Sequence, residues 1–205
     1  MAQSLPLKIK HFGIHSNMSL NRRQFLQYLG AAPIIAGAPN VLAIPAQTLI
    51  LPTEEHRSLK IRSLHTGEKV NVTYWEQGEY LIDGLAELYL LMRDHRENRI
   101  APMDINLLDQ LHTIQTKLET NREIMLVSGY RSPETNGNLR QSEKGTGVAK
   151  RSLHMNGQAL DFRIPGLNLR HVHKATLTST LGGVGYYGRS GYIHMDTGRK
   201  RRWAL

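Results

Sequence analysis

The chain has 205 residues, with 26 Lys and Arg against 17 Asp and Glu, ten His and no Cys. That length builds one domain with a full core and is too short for two ordinary domains plus a leader. Without cysteine, disulfides and thiolate ligands are excluded, so any zinc must be held by His, Asp or Glu. In chain order, Asn21-Arg22-Arg23-Gln24-Phe25-Leu26-Gln27 is a twin-arginine pattern, followed by a mildly apolar run from Tyr28 to Ala43. Gly30, Pro33, Gly37 and Pro39 interrupt that run, which falls short of the ~20 apolar residues of a membrane span. Residues 1–43 are therefore expected to be an export leader directing the chain to the periplasm. Cleavage is expected after Ala43 or Ala46, and translation starts at Met1 or Met18. The missing cysteine excludes a lipoprotein anchor, and no membrane span is expected after cleavage. Residues 44–56 read as a linker and residues 57–205 as the folded domain.

Leu59 and Ile61, then Val70, Val72 and Tyr74, alternate with polar residues around Thr66-Gly67-Glu68, which predicts a β-hairpin. From Tyr80 to Asn98 the residues Leu81, Ile82, Leu85, Leu88, Tyr89 and Met92 follow helical spacing. Ala101-Pro102 breaks that pattern. A second helix is predicted from about Asp104, with Leu107, Leu108, Leu111, Ile114 and Leu118 on one face. Both stripes read as core, and His95 and His112, lying off them, are expected to be exposed. Ile124–Val127 is a buried strand candidate that delivers Ser128-Gly129-Tyr130-Arg131-Ser132 onto a loop. Residues 135–150 read as a long loop forming one wall of a groove. Asn168 is expected to cap a helix over residues 169–181. His171 and His173, two apart in that helix, cannot share a face and are not expected to be ligands. The glycines of 182–187 lack the lysine and strand-loop-helix setting of a phosphate loop, so nucleotide binding is not expected.

The stretch that organises the chain is Ser152-Leu153-His154-Met155-Asn156-Gly157-Gln158-Ala159-Leu160-Asp161-Phe162-Arg163-Ile164. Extended, it would hold His154 and Asp161 on the order of 23 Å apart. Asn156-Gly157 supplies the positive φ of a tight turn, so the chain can double back and bring them together. Beyond the turn, Leu160, Phe162 and Ile164 share one strand face, and Asp161 lies on the other with Ala159 and Arg163. In Gly191–Asp196 the same period places Tyr192, His194 and Asp196 on one side and Ile193 and Met195 on the other. Two imidazoles and a carboxylate, His154, Asp161 and His194, form a common ligand set for one catalytic Zn2+ with its fourth position open.

These residues resemble a known family. Ser-x-His-x-x-Gly-x-Ala-x-Asp, read from Ser152 to Asp161, is similar to the signature of the zinc D-Ala-D-Ala peptidase superfamily. Four further stretches resemble its murein endopeptidase K and YcbK-like branch: residues 128–132, Gly147-Val148-Ala149-Lys150, residues 182–187 and His194-Met195-Asp196-Thr197-Gly198. The resemblance spans about residues 55–203. It implies an α+β domain of the hedgehog/DD-peptidase fold, an antiparallel sheet with flanking helices. It also implies a zinc peptidase acting on peptidoglycan cross-links, chiefly between two meso-diaminopimelates. A D-Ala-D-Ala carboxypeptidase is the nearest alternative activity. Arg131, by its match, is expected to bind a substrate carboxylate or the oxyanion of the reaction. Ser152 is a second candidate for substrate binding.

The chain departs from the superfamily at the general base. Members carry Glu three positions, or His two positions, before the third ligand, where this chain has Gly191 and Tyr192. Asp196 is the nearest carboxylate on that strand face. It is expected to act as the base or to orient His194. The missing base keeps open a non-catalytic, metal-stabilised wall-binding module. Removal of the leader lowers the net charge from +9 to +5. From Lys144 onward eleven Lys and Arg face only Asp161 and Asp196, so the site is expected in basic surroundings that attract an anionic polymer. Export argues that this polymer is the wall, not nucleic acid. Residues 199–203 read as a basic tail.

Overall fold

In a computed structural model, which describes residues 56–142 and 148–205, the predicted hairpin is β1 (His56–Ser63) and β2 (Lys69–Glu76). Gly67 supplies its left-handed turn residue at φ 73°. The leader and its cleavage, residues 44–55 and Gly147, for which the sequence raises expectations, lie outside the described residues. Tyr80 belongs to a short third strand, β3 (Glu79–Tyr80), and not to the helix. Helix α1 (Ile82–Leu91) stops before the predicted end at Asn98. The reason is Asp94, whose carboxylate accepts from the amides of Arg96 and Glu97 and so competes with helical bonding. The same carboxylate accepts from the Ser132 amide at 2.8 Å, tying this turn to the loop that carries Arg131.

Helix α2 (Ile105–Lys117) matches the predicted stripe, and Asp104 caps it by accepting from the Asn106 amide. Strand β4 (Ile124–Ser128) follows. The expected loop over 135–150 is corrected: α3 (Pro133–Ser142) occupies its first part. Ser132 caps that helix through its hydroxyl, which accepts from the Thr135 amide at 3.0 Å, and Pro133 opens it. A 3-10 turn (Leu153–Asn156) then leads through Gly157, at φ 67°, into β5 (Ala159–Arg163). A side chain at Gly157 would also strike the Pro102 carbonyl, so glycine is required twice over. Asn168 caps α4 (Leu169–Ser179) as expected. The remaining strands are β6 (Gly183–Tyr187), β7 (Tyr192–Asp196) and β8 (Arg201–Ala204). The predicted basic tail is thus an edge strand of the sheet.

The eight strands form one mixed sheet in the order β3-β2-β1-β4-β5-β7-β6-β8. The β1/β4 and β6/β8 pairs are parallel and the others antiparallel. The architecture is α+β, as expected. Leu59, Ile61, Leu160, Phe162, Ile193 and Met195, with the apolar stripe of α2, make the core. Truncating a side chain such as Phe162 there would cost about 3–5 kcal/mol. His95 and His112 are half-buried, not exposed, and His95 stacks on His65 at 4.4 Å.

Candidate metal centre

Strand pairing builds the centre. Ser128 pairs with Asp161, Asp161 with His194, His194 with Gly185, and Gly185 with Trp203, forming one lateral row across β4, β5, β7, β6 and β8. Because side chains alternate, residues in such a row project from the same face. The 3-10 turn before β5 brings His154 over this row. The tight turn expected at Asn156-Gly157 is a short helical turn in which Gly157 alone of the two takes a positive φ, and it performs the same reversal. Within the row and turn, one ligand atom each from His154, Asp161 and His194 lies within 4.8 Å of the others. All three residues are buried, at 1%, 4% and 9% exposure.

The outer nitrogen of each imidazole is committed. His154 Nδ1 donates to the Gly129 carbonyl at 2.7 Å, and His194 Nε2 donates to Asp196 Oδ2 at 3.0 Å. That leaves His154 Nε2 and His194 Nδ1 as inward lone pairs, 3.3 Å apart. His194 Nδ1 is also 2.7 Å from Asp161 Oδ1. Two lone pairs and a carboxylate oxygen converging in a buried space repel one another unless a proton or cation lies between them. The donor set is therefore a fit for a divalent cation, and two imidazoles with one carboxylate suit zinc.

Electrostatics follow from that crowding. Burial pushes His154 below the usual histidine range. Burial acts on His194 in the same direction, but the bonds that its protonated ring would make to both Asp161 and Asp196 outweigh it and hold that histidine above its usual value. Burial works against ionising Asp161, yet His154 and His194 keep its carboxyl well below the ordinary range.

Arg131 lies beside the centre. Its Nη2 donates to Asp161 Oδ2 and its Nε to Ser128 Oγ, each at 2.9 Å. Arg131 and Ser152 line, with the three candidate ligands, a cleft of about 920 Å³. Arg151, Arg189 and Arg201 also face it, as do Tyr187, Tyr192 and Trp203. Asp161 is the one side-chain carboxylate among the described residues that line it. Asp196 lies beneath His194 and is fully buried. Its oxygens accept from His194, from the amides of Gly183 and Gly198, and from both terminal nitrogens of Arg201. Burial opposes its ionisation, but these bonds outweigh it and hold the carboxyl below its usual range.

The sequence profile of the family described as "Peptidoglycan L,D-endopeptidase MepK" matches residues 51–203. The chain belongs to that family. It is 43% identical over 183 residues to the peptidoglycan L,D-endopeptidase MepK of Escherichia coli strain K12, covering 89% of this chain and 97% of that protein. It is 40% identical over 185 residues to the probable peptidoglycan L,D-endopeptidase MepK of Haemophilus influenzae, covering 89% and 95%. No solved structure matches the chain.

Three contributions to this MepK-family site were not read from the sequence. Gly129 offers only its carbonyl, which no side-chain pattern can reveal. Asp94 holds the Ser128–Ser132 loop from 38 residues away. Arg201 and Trp203 read in the sequence as part of a basic tail, yet Trp203 packs its ring 5.2 Å from that of His194. His171 and His173 lie on α4 and are not members of the cluster.

Proposed function

We propose that the chain is an exported, zinc-dependent peptidoglycan endopeptidase that hydrolyses cross-links between two meso-diaminopimelates. The observation that carries this reading is the convergence of His154, Asp161 and His194 at the floor of an arginine-lined cleft, in a member of this family. The Escherichia coli relative is named an L,D-endopeptidase and the Haemophilus influenzae one a probable L,D-endopeptidase. A diaminopimelate–diaminopimelate cross-link is a bond of that stereochemistry, from an L centre to a D centre, and its flanking free carboxylates suit Arg151 and Arg189.

Zinc, if held by His154, Asp161 and His194, would supply Lewis acidity for polarising the scissile carbonyl and would make water a better nucleophile at neutral pH. The chain's own residues set the stage for that. Gly129 and Asp196 fix the two imidazoles in the tautomers whose inner nitrogens are free to bind the ion. Arg131 steadies Asp161 and places a positive charge in the cleft, where it stabilises the oxyanion of the carbonyl under attack. Ser152, on the cleft wall, contacts the peptide. We assign Asp196 to orienting His194 and not to general-base catalysis. The support is its burial and its full complement of donors, which leave it no route to a proton in the cleft.

The test is to incubate the chain lacking residues 1–43 with defined muropeptide dimers, with zinc and with chelator, beside His154→Ala. Cleavage of the diaminopimelate cross-link that chelator and the substitution both abolish is the expected result. Release of terminal D-Ala without separation of the dimers would replace the endopeptidase by a carboxypeptidase. The scarcity of carboxylates in the cleft favours a second reading, a metal-stabilised wall-binding module. Binding to peptidoglycan with no cleavage at any zinc concentration would select it. Export is tested separately, because Arg22→Lys with Arg23→Lys should retain the protein in the cytoplasm.

A further inference from the structure

Strand β8 is the part of the fold that the reaction, as derived above, leaves without a task. Its side chains reach the metal centre over a neighbouring strand, β6, that offers no side chains in their way. Gly185 stands between His194 and Trp203 in the lateral row, and a Cβ there would lie 2.5 Å from the indole. Gly183 pairs with Arg201 in β8 and donates its amide to Asp196 Oδ1. A Cβ on Gly183 would lie 2.5 Å from both the Asp196 carboxylate and the Arg201 guanidinium. Two glycines spaced by two thus open a path for an arginine and a tryptophan to cross one strand and touch the residues of the next.

What crosses is a fork. Arg201 Nη1 donates to Asp196 Oδ1 at 3.0 Å and Nη2 to Asp196 Oδ2 at 2.6 Å. Such a two-point bond fixes the plane of a carboxylate as well as its position, which a single ammonium cannot do. The fixed Oδ2 is the atom that accepts the His194 Nε2 proton. Trp203 bounds the other side of the same imidazole, and the Arg201 guanidinium lies 5.1 Å over the indole ring.

We infer that Arg201 is a positioning residue for the metal centre: by clamping Asp196 it fixes the tautomer and ring plane of His194, with Trp203 as the wall against which that ring rests. The inference rests on the zinc reading of the site and adds a third layer to it, from ligand to carboxylate to arginine. Loss of the clamp frees Asp196 to rotate, and His194 loses the rigid acceptor that keeps Nδ1 directed at the ion. Partners of metal-binding histidines are typically worth about 10–100-fold in metal affinity.

The experiment measures zinc affinity of the mature-length protein by competition with a chromophoric chelator, for Arg201→Ala, Arg201→Lys and Arg202→Ala. Arg202 is exposed on the same strand, so its variant removes the same charge without the clamp. The expected result is a loss of about 10–100-fold in Arg201→Ala, a smaller loss in Arg201→Lys and none in Arg202→Ala. A low-field proton resonance from His194 Nε2–H should be sharp in the zinc-loaded parent and shifted or lost in Arg201→Ala. Parent-like zinc affinity in Arg201→Ala, with only a raised KM, would overturn the inference and make Arg201 a substrate contact. If Arg201→Ala does not fold, Arg201→Lys decides alone, and unchanged affinity overturns the clamp. Failure of the parent protein to bind zinc would instead sink the metal reading itself.

Discussion

Two carboxylates, one packed at the β1-β2-β3 end of the sheet and one on its central strand β5, show what separates a structural polar cluster from a candidate site. Asp109, on α2, accepts from the Tyr74 and Tyr80 hydroxyls at 3.0 and 2.6 Å and from Arg57 at 2.8 Å. Donors and acceptors there match, so the cluster is closed and pins α2 to β1, β2 and β3. Asp161 also has three polar neighbours, Arg131, His154 and His194. Two of them, however, turn lone pairs towards it because their N–H groups are engaged elsewhere. A surplus of acceptors in a buried space is costly unless a cation resolves it. Parity therefore marks the stabilising cluster, and imbalance marks the site.

The comparison breaks most visibly on metal removal. Chelation, or His154→Ala, should abolish cleavage of cross-linked dimers, whereas Asp109→Ala should leave the rate per folded molecule unchanged. Zinc should also stabilise the fold, by about 2.7 kcal/mol at a hundredfold excess over its Kd. Thermal melts with and without chelator check this, and Asp109→Ala should keep the same increment. Asp196→Asn sharpens the point. With zinc limiting it should lose about 10–100-fold in metal affinity. At saturating zinc, cleavage should persist, because the amide oxygen can still accept from His194 Nε2. Loss of all activity at saturating zinc would return Asp196 to the role of general base.

How much of this was legible in the sequence depended on which atoms carry the function. The hairpin, the stripe of α2 and its start near Asp104, the cap at Asn168 and the strand faces of Asp161 and His194 are periodic or local features, and the structure agrees with each. Helix α3 was missed: Ser132-Pro133-Glu134 is a helix start, but the polar composition after it reads equally as loop. Strand β8 was not legible. Arg199-Lys200-Arg201-Arg202 looks like a solvated charge run, and nothing local tells which arginine turns inward. The informative signal lay upstream, in the spacing of Gly183 and Gly185, which marks where another strand's side chains must pass close. Gly129 and Asp94 act through a main-chain carbonyl and a contact distant in sequence, and neither leaves a local pattern.

On the closed side of the comparison the effects should be smaller and confined to stability. Asp109→Ala leaves the Tyr74 hydroxyl, in a fully buried side chain, without its acceptor. Urea titration should show a loss of about 1–3 kcal/mol. Tyr80→Phe removes only one donor to a carboxylate that retains two, and should cost about 0.5–1.5 kcal/mol at neutral pH. Its distinctive effect is at high pH. Burial, then the hydrogen bond to Asp109 and that carboxylate's charge, push the Tyr80 hydroxyl up to about 12, and Tyr74 is raised as well. A phenol whose folded pKa lies above its unfolded value of about 10 contributes stability that is complete below pH 10. That contribution is lost as pH rises from there through the folded value, because the unfolded chain releases the proton first. Unfolding free energy of the parent protein should therefore decline between about pH 10 and 12, and the decline should be shallower in Tyr80→Phe and shallower again in Tyr74→Phe/Tyr80→Phe, where Tyr89, raised by burial, still contributes. An equally steep decline in the double variant would show that these hydroxyls are not what couples proton release to this end of the sheet.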